Sequence, residues 1–151
     1  MVIRADGAAR GNPGPASAGA VIIDATRPDA KHPDAPPIAV IARPLGIQTN
    51  NYAEYIGVIL ALEKALDLGA READLVLDSK LIVEQLSGRW KVKHPGIKPL
   101  VIRSHELLRR LDRWSIRHEP RENNRAADAM ANLALDDPAA ARAAEAATGI
   151  V

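Results

Sequence analysis

The first third of the chain has the hydrophobic patterns of β-strands, and residues 1–8 alternate with the two-residue period of a strand. Two further segments, 18–25 (AGAVIIDA) and 38–45, are predicted as the second and third strands. The intervening residues 26–37 contain four prolines and two aspartates, which is typical of a surface loop. Three strands joined by turns predict an antiparallel meander.

The hydrophobic period changes to that of an α-helix after residue 50 and continues to Gly69, which predicts one long helix. A short apolar strand follows at 73–78, and 114–118 alternate as a fifth strand. Further helices are predicted at 79–88, at 100–111 and from Asn123 or Asn124 to about residue 135. This order predicts an α/β fold. Its mixed five-stranded sheet, three antiparallel strands and then two parallel ones, carries helices on both faces.

The composition favours a single domain with an aliphatic core. The chain has 151 residues, of which 47% are hydrophobic but only 3% are aromatic, and it has no phenylalanine. A chain of this length can bury a core of its own. We assign residues 1–136 to the domain and 137–151 to an alanine-rich C-terminal tail, either a flexible linker or a loose helix.

Charge and the absence of cysteine restrict the chemistry. A formal net charge of +1 does not indicate a globally basic nucleic-acid binder, although a local basic patch stays open. Without cysteine, a metal must be bound by oxygen or imidazole, and carboxylates suit Mg²⁺ or Mn²⁺. No apolar run could span a bilayer, and the N-terminus does not read as a signal peptide, so we expect a cytoplasmic protein with no membrane partner.

Carboxylates stand at several places where the predicted elements would meet. Asp6 lies within the first strand, where aspartate is rare. The others are Glu54 in the first turn of the long helix, Asp78 at the end of the fourth strand and Asp128 early in the last helix. If the first and fourth strands are neighbours, these acids converge at one end of the sheet. Such a cluster repels itself without a cation, so the pattern predicts divalent metal and, with two ions, phosphoryl transfer.

Three of these acids also fit ordinary structural roles. Glu54 has capping-box spacing from Asn51, and Asp78 stands where a helix N-cap is expected. Asp128 would complement a helix dipole. The metal hypothesis therefore depends on the four acids as a set, with Asp6 the hardest to explain otherwise.

Four segments resemble the successive motifs of type 1 ribonuclease H. They are DGAARGNPGPASAG (6–19), TNNYAEYIGVILAL (49–62), LVLDSKLIVEQLSG (75–88) and HEPRENNRAADAMANLAL (118–135). The resemblance implies the ribonuclease H fold and a catalytic, metal-binding set of Asp6, Glu54, Asp78 and Asp128 with two Mg²⁺ or Mn²⁺ ions. It also implies endonucleolytic cleavage of the RNA strand of an RNA–DNA hybrid, leaving 5′-phosphate and 3′-hydroxyl ends. We expect a monomer.

The same resemblance assigns substrate contacts to two segments. Gly11 and Asn12, in the turn after the first strand, would contact the minor groove of the hybrid, where 2′-hydroxyls distinguish RNA from DNA. Thr49, Asn50 and Asn51 match family positions that contact the backbone or bases near the cut and the DNA strand. For Asn51, ordinary helix-start chemistry fits equally well.

The chain departs from the family pattern before the last acid. Many bacterial relatives carry a mobile histidine in that loop, whereas His118 here ends a predicted strand and Pro120 follows it closely. Arg121 matches a branch of the family with arginine seven residues before the acid corresponding to Asp128. We therefore assign the auxiliary catalytic role to Arg121, with an ordinary surface ion pair as the alternative.

The basic insertion that grips the hybrid in some relatives is short here. It keeps Arg89, Lys91, Lys93, His94 and Lys98, which suit phosphate contacts. Trp90 fits either base stacking or, more commonly, a core position. We expect weaker hybrid affinity than in relatives with a full insertion.

Three other functions are alternatives to ribonuclease activity. A dinucleotide-binding loop is disfavoured because glycines 7, 11, 14 and 19 do not have G-x-G-x-x-G spacing. A catalytically silent hybrid-binding module and a DNA-cutting nuclease would have the same fold, and fold alone does not decide chemistry.

Overall fold

The computed structural model describes residues 1–147, so positions 148–151 of the predicted tail lie outside the described residues. The strands are β1 (Val2–Ala9), β2 (Gly14–Ile23), β3 (Ala39–Gln48), β4 (Glu72–Leu77) and β5 (Arg113–His118). The helices are α1 (Asn50–Asp67), α2 (Lys80–Leu86), α3 (Lys98–Leu108), α4 (Arg125–Asp136) and α5 (Pro138–Ala147). A short 3-10 turn at Arg121–Asn123 precedes α4.

The strands form one mixed sheet in the order β3-β2-β1-β4-β5. β1 pairs antiparallel with β2 and β2 with β3, whereas β1 and β4, and β4 and β5, pair in parallel. The predicted arrangement of three antiparallel and two parallel strands is therefore confirmed. Ala5 lies beside Leu77 in the β1–β4 register, so the residues that follow them, Asp6 and Asp78, stand at the same end of the sheet.

Alternate residues of β1 face two separate cores. Ile3 packs with α1, α2 and α3 on one face, among residues such as Leu62 and Leu107. Val2 packs on the other face with Val76 and with side chains of α4 and α5. Helices on both faces are therefore confirmed. No helix within residues 1–147 combines the length and hydrophobicity that a membrane span requires.

Two strands extend beyond their predicted limits. β2 starts at Gly14 rather than residue 18, because Pro15 is the second residue of the strand, close to its start, where proline is tolerated. β3 continues past residue 45 to Gln48, because a β-bulge opposite Ala16 and Ser17, with Gly46 at a φ of 72°, lets the pairing with β2 resume. The longer hairpin brings the glycine–proline turn next to the start of α1.

The alanine-rich tail is helical as far as Ala147 and packs on the edge strand β3. Ala141 is fully buried against Ala42, and Glu145 accepts a hydrogen bond from the Ala42 backbone N–H (3.1 Å). Glu145 also pairs with Arg43 at 2.6 Å. These contacts cover part of an otherwise open sheet edge. A domain boundary at residue 136 stays a prediction.

Candidate active site

The acids singled out in the sequence lie around one cavity of about 540 Å³. Asp6 is in β1, Glu54 is in α1, and Asp78 directly follows β4. Carboxylate oxygens of these three residues lie within 4.8 Å of one another. Asp128, in the first turn of α4, lines the same cavity but is not part of that tightest group. Four distant parts of the chain thus converge.

Two glycines allow the helices to approach Asp6 this closely. A Cβ atom on Gly7 would lie 2.2 Å from the backbone nitrogen of Glu54. Gly19 is the partner of Asp6 in the β1–β2 ladder, and a Cβ atom there would lie 2.2 Å from the carbonyl oxygen of Ala127. The backbones of α1 and α4 therefore pack directly on the strands, which brings their acids to the site. We did not predict this role, although a glycine inside a strand is a signal of close backbone approach.

Other residues take the capping roles that could have explained two of the acids. Thr49, not Asn51, caps α1 by accepting a hydrogen bond from the Tyr52 backbone N–H (3.2 Å), and no acid occupies the first turn. The first-turn placement of Glu54 was therefore wrong, because the helix begins earlier than the capping-box spacing implies. Ser79 caps α2 in the same way. Asp128 does lie in the first turn of α4, so its charge also complements that helix dipole.

The environment of Asp6 strongly disfavours the charged form of its carboxyl group. Burial, together with the charges of Asp78 and Glu54 and a contact with Asp128, raises its pKa from 3.8 to about 8. A hydrogen bond from the Gly7 backbone N–H to Asp6 Oδ1 (2.9 Å) opposes this shift without cancelling it. Asp6 is therefore held in an environment that stabilises a proton or another cation.

Glu54 shows the same effect. Burial, followed by the charge of Asp78, raises its pKa to about 7, although Ser79 and Arg121 partly oppose the shift. Carboxylate oxygens are the ligands that Mg²⁺ and Mn²⁺ prefer. The oxygens here are closely spaced, and neighbouring cations offset their negative charge only in part. The residues present therefore fit a divalent cation.

Arg121 and His118 both lie beside the acids. Arg121 Nη2 is 3.8 Å from Asp128 Oδ1, and its side chain is 80% exposed at the rim of the cavity. His118 is the last residue of β5, as predicted, and its Nε2 lies 3.2 Å from the carbonyl oxygen of Asp78. The assignment of the auxiliary role to Arg121 stays a prediction.

The predicted substrate contacts form a continuous surface beside the acids. Asn12 Oδ1 accepts a hydrogen bond from the Asn50 backbone N–H (3.1 Å), which joins the exposed turn containing Gly11 to the start of α1. Asn50 lines the acidic cavity. Asn12, Thr49 and Asn51 line a neighbouring cavity of about 520 Å³.

The short basic segment after α2 is only partly free to bind phosphate. Arg89 pairs with Glu84 at 2.6 Å. His94 lines the cavity next to Asn12. Trp90 is 45% exposed, so it is not a core residue, and its ring is accessible to a ligand.

A buried arginine near the site was missed by the sequence interpretation. Arg4 is fully buried in β1, and its guanidinium hydrogen-bonds Glu119, Asn123 and Lys31. A charged residue in a strand that is otherwise buried was the available signal, since unpaired buried charges are costly.

Comparison with known proteins agrees with this geometry. A family model described as reverse transcriptase-like matches residues 4–134. The bifunctional protein Rv2228c of Mycobacterium tuberculosis is 44% identical over 146 residues, which cover 97% of this chain but only 38% of that protein. The chain thus spans well under half the length of its mycobacterial relatives.

Two further relatives are similar in sequence and structure. Ribonuclease HI of Halobacterium salinarum is 44% identical over 132 residues, covering 87% of this chain and 62% of that protein. Its crystal structure superposes with a TM-score of 0.82 over 90% of this chain and 97% of that one. LC11-RNase H1, solved in complex with an RNA/DNA hybrid, is 34% identical with a TM-score of 0.80, covering 91% and 97%.

Proposed function

Since this chain belongs to the type 1 ribonuclease H family, we propose that it is an endonuclease that cleaves the RNA strand of RNA–DNA hybrids. The observation that carries the proposal is the convergence of Asp6, Glu54 and Asp78 within 4.8 Å, with Asp128 at the same cavity. The similarity to LC11-RNase H1, which was solved with a hybrid, supports the choice of substrate.

Asp6, Glu54, Asp78 and Asp128 would hold two Mg²⁺ or Mn²⁺ ions when the hybrid is bound. The ions supply positive charge that stabilises the attacking and leaving oxygens of the phosphoryl transfer. Hydrolysis of this kind leaves 5′-phosphate and 3′-hydroxyl ends. Asp6 is suited to this role because it is on β1, a central strand of the sheet, where it pairs with Gly19 of β2 and directly follows Ala5, the last β1 residue paired with β4.

The remaining residues of the proposal bind and orient the hybrid. Arg121 presents a cation at the rim of the acidic cavity, close to Asp128, where it can offset negative charge on the substrate phosphate. The turn with Gly11 and Asn12 and the segment Thr49, Asn50 and Asn51 would contact the hybrid together, because the Asn12–Asn50 hydrogen bond joins them. The monomeric state and cytoplasmic location stay predictions.

The test is a cleavage assay with labelled RNA–DNA hybrid, duplex DNA and duplex RNA side by side. We expect cleavage of the hybrid alone, with Mg²⁺ or Mn²⁺ present and none in EDTA. A catalytically silent binding module would bind the hybrid without cutting it, and a DNA-cutting nuclease would cleave the DNA duplex. Either result would overturn the proposal.

A further inference from the structure

Arg4 is a buried cation that the proposed chemistry does not use. Its side chain is 0% exposed, and Nη1 donates to Glu119 Oε1 and to the carbonyl oxygen of Asn123, both at 3.1 Å. Nη2 donates to the carbonyl oxygen of Lys31 at 2.9 Å. Within residues 1–147, Nε has no hydrogen-bond partner. A buried guanidinium is costly to desolvate, so this arrangement is unlike ordinary core packing.

The two acceptors of Nη1 flank Arg121. Glu119 lies two residues before it and Asn123 two residues after it. The backbone N–H of Glu119 also donates to the carbonyl oxygen of Leu77 (2.9 Å), at the end of β4. One guanidinium therefore holds both ends of the segment that carries Arg121, while the Arg121 side chain itself extends toward Asp128.

The same strand carries Arg4 and Asp6. Residues two apart in a strand point to the same face, so both side chains leave β1 on the α4 side. Asn124, which follows the 3-10 turn, adds a second tie, because its Nδ2 donates to the carbonyl oxygen of Ala5 (2.9 Å). The position of the Arg121 backbone relative to Asp6 is thus set through β1.

We propose that Arg4 is a positioning residue that holds Arg121 in register with the acidic cluster, an inference that depends on the proposed function. Arginine suits this task because its planar fork presents donors on separate nitrogens in a fixed geometry. A lysine would keep the charge, but its single nitrogen cannot hold all three acceptors in place. Arg4→Lys therefore tests the positioning of the segment while the positive charge is kept.

The test is a double-mutant cycle of Arg4→Lys and Arg121→Ala. The readout is single-turnover hybrid cleavage with saturating Mg²⁺, at a temperature where thermal melts show every variant folded. We expect each single variant to cleave about 10-fold slower, with hybrid Kd changed less than about 2-fold, because misplacement of a catalytic group lowers the rate of the chemical step. The double variant should be no slower than the slower single variant.

A cycle in which the two effects multiply to about 100-fold would overturn the inference, as would wild-type cleavage by Arg4→Lys. If Arg4→Lys does not fold, Glu119→Ala takes its place in the cycle, since Glu119 is partly exposed and its loss removes one anchor. Glu119→Gln keeps an oxygen that accepts from Nη1 and should retain wild-type cleavage; a loss equal to that of Glu119→Ala would also count against the inference.

Leu107→Ala is the matched control for lost stability. Leu107 is buried in α3, in the core on the other face of the sheet. We expect a lower Tm but independent effects when it is combined with Arg121→Ala, and a coupling like that of Arg4 would mean that stability alone explains the cycle. Wild-type protein that does not cleave hybrid would refute the proposed function, whereas active wild type with a multiplicative Arg4–Arg121 cycle would refute only the positioning role.

Discussion

The two ends of the central strands differ in how their charged side chains are paired. Where β4 begins, Glu72 forms an ion pair with Arg113, and nearby Arg71 pairs with Asp112 at 2.9 Å. At the other end, three carboxylates lie within 4.8 Å of one another. Arg10 and Arg121 also line the acidic cavity, and Arg121 Nη2 lies 3.8 Å from Asp128 Oδ1.

The charges at the start of β4 are paired with opposite charges within the protein, whereas the clustered acids require a bound cation to offset their repulsion. At the paired end, Glu72 raises the pKa of Arg113 above its usual range, so each charge favours the other. At the acidic end, burial and repulsion raise the pKa of Asp6 to about 8. Opposed charges at the protein surface are neutral to stability or slightly favourable, but buried like charges oppose folding until a cation joins them.

The largest effect is expected from Asp78→Asn. The substitution keeps the shape of the side chain but removes one of the clustered negative charges, so we expect hybrid cleavage to fall by about 10³-fold or more. Hybrid binding measured by fluorescence anisotropy should persist. The matched control is Asp112→Asn at the paired end, which should cleave like the wild type. If Asp78→Asn kept a tenth of the wild-type cleavage rate, the clustered acids would not differ in function from the paired charges at the start of β4.

A smaller effect is expected from Arg121→Ala, which removes the cation that lies 3.8 Å from Asp128. We expect cleavage to fall about 10-fold at saturating metal, in keeping with the loss of one electrostatic contact. His118→Ala should change the rate less than about 2-fold, because His118 is in a strand and contacts a backbone oxygen. Turnover of both variants decides between them, and the reverse order would transfer the auxiliary role to His118.

The acidic end should also give stability a distinctive pH dependence. The pKa of Asp6 is about 8 in the folded state, against 3.8 as its ordinary value, so the folded protein binds more protons between these limits. Without metal, the free energy of unfolding should therefore fall as the pH rises from about 4 to about 8. Addition of Mg²⁺ at pH 8 should restore it, because binding to the folded state stabilises that state.

Asp6→Asn is the variant that isolates this contribution. At pH 8 without metal we expect its Tm to exceed that of the wild type by roughly 2–4 °C, since about 1 kcal/mol shifts Tm by that amount in a domain of this size. Its Tm should also respond less to Mg²⁺. Parallel Tm curves for the two proteins across this pH range would show that the acids do not repel one another as the structure implies.

The smallest effect is expected at the paired end. Arg113→Gln removes the ion pair with Glu72, whose side chain is 54% exposed, while that of Arg113 is 79% exposed. Urea unfolding should show a loss of less than about 1 kcal/mol, and hybrid cleavage should be unchanged. A loss above about 2 kcal/mol would mean that these surface pairs hold the fold together more strongly than exposed pairs usually do.

The local sequence pattern was sufficient to predict the order of strands and helices and to single out the acidic residues as candidate site residues. The alternation that predicts β1 and the helical spacing that predicts α1 reflect which side chains face the core, and that is written along the chain. Asp6 stood out because a carboxylate is costly in a buried strand. The start of β2 was misjudged because Pro15 locally suggests a turn, and the end of β3 was misjudged because a β-bulge and Gly46 lie where the local pattern suggests that the strand ends.

Only the tertiary structure decided how the acids meet. Gly7 and Gly19 do not stand out in the sequence as packing positions, but the packed fold shows that helix backbones lie where a side chain at either glycine would be. In the same way, Arg4 reads as an isolated charge until the fold brings Glu119 and Asn123 to its guanidinium. Periodicity depends on neighbours a few residues apart, whereas the spacing of a site depends on how closely distant backbones pack, and no local preference encodes that distance.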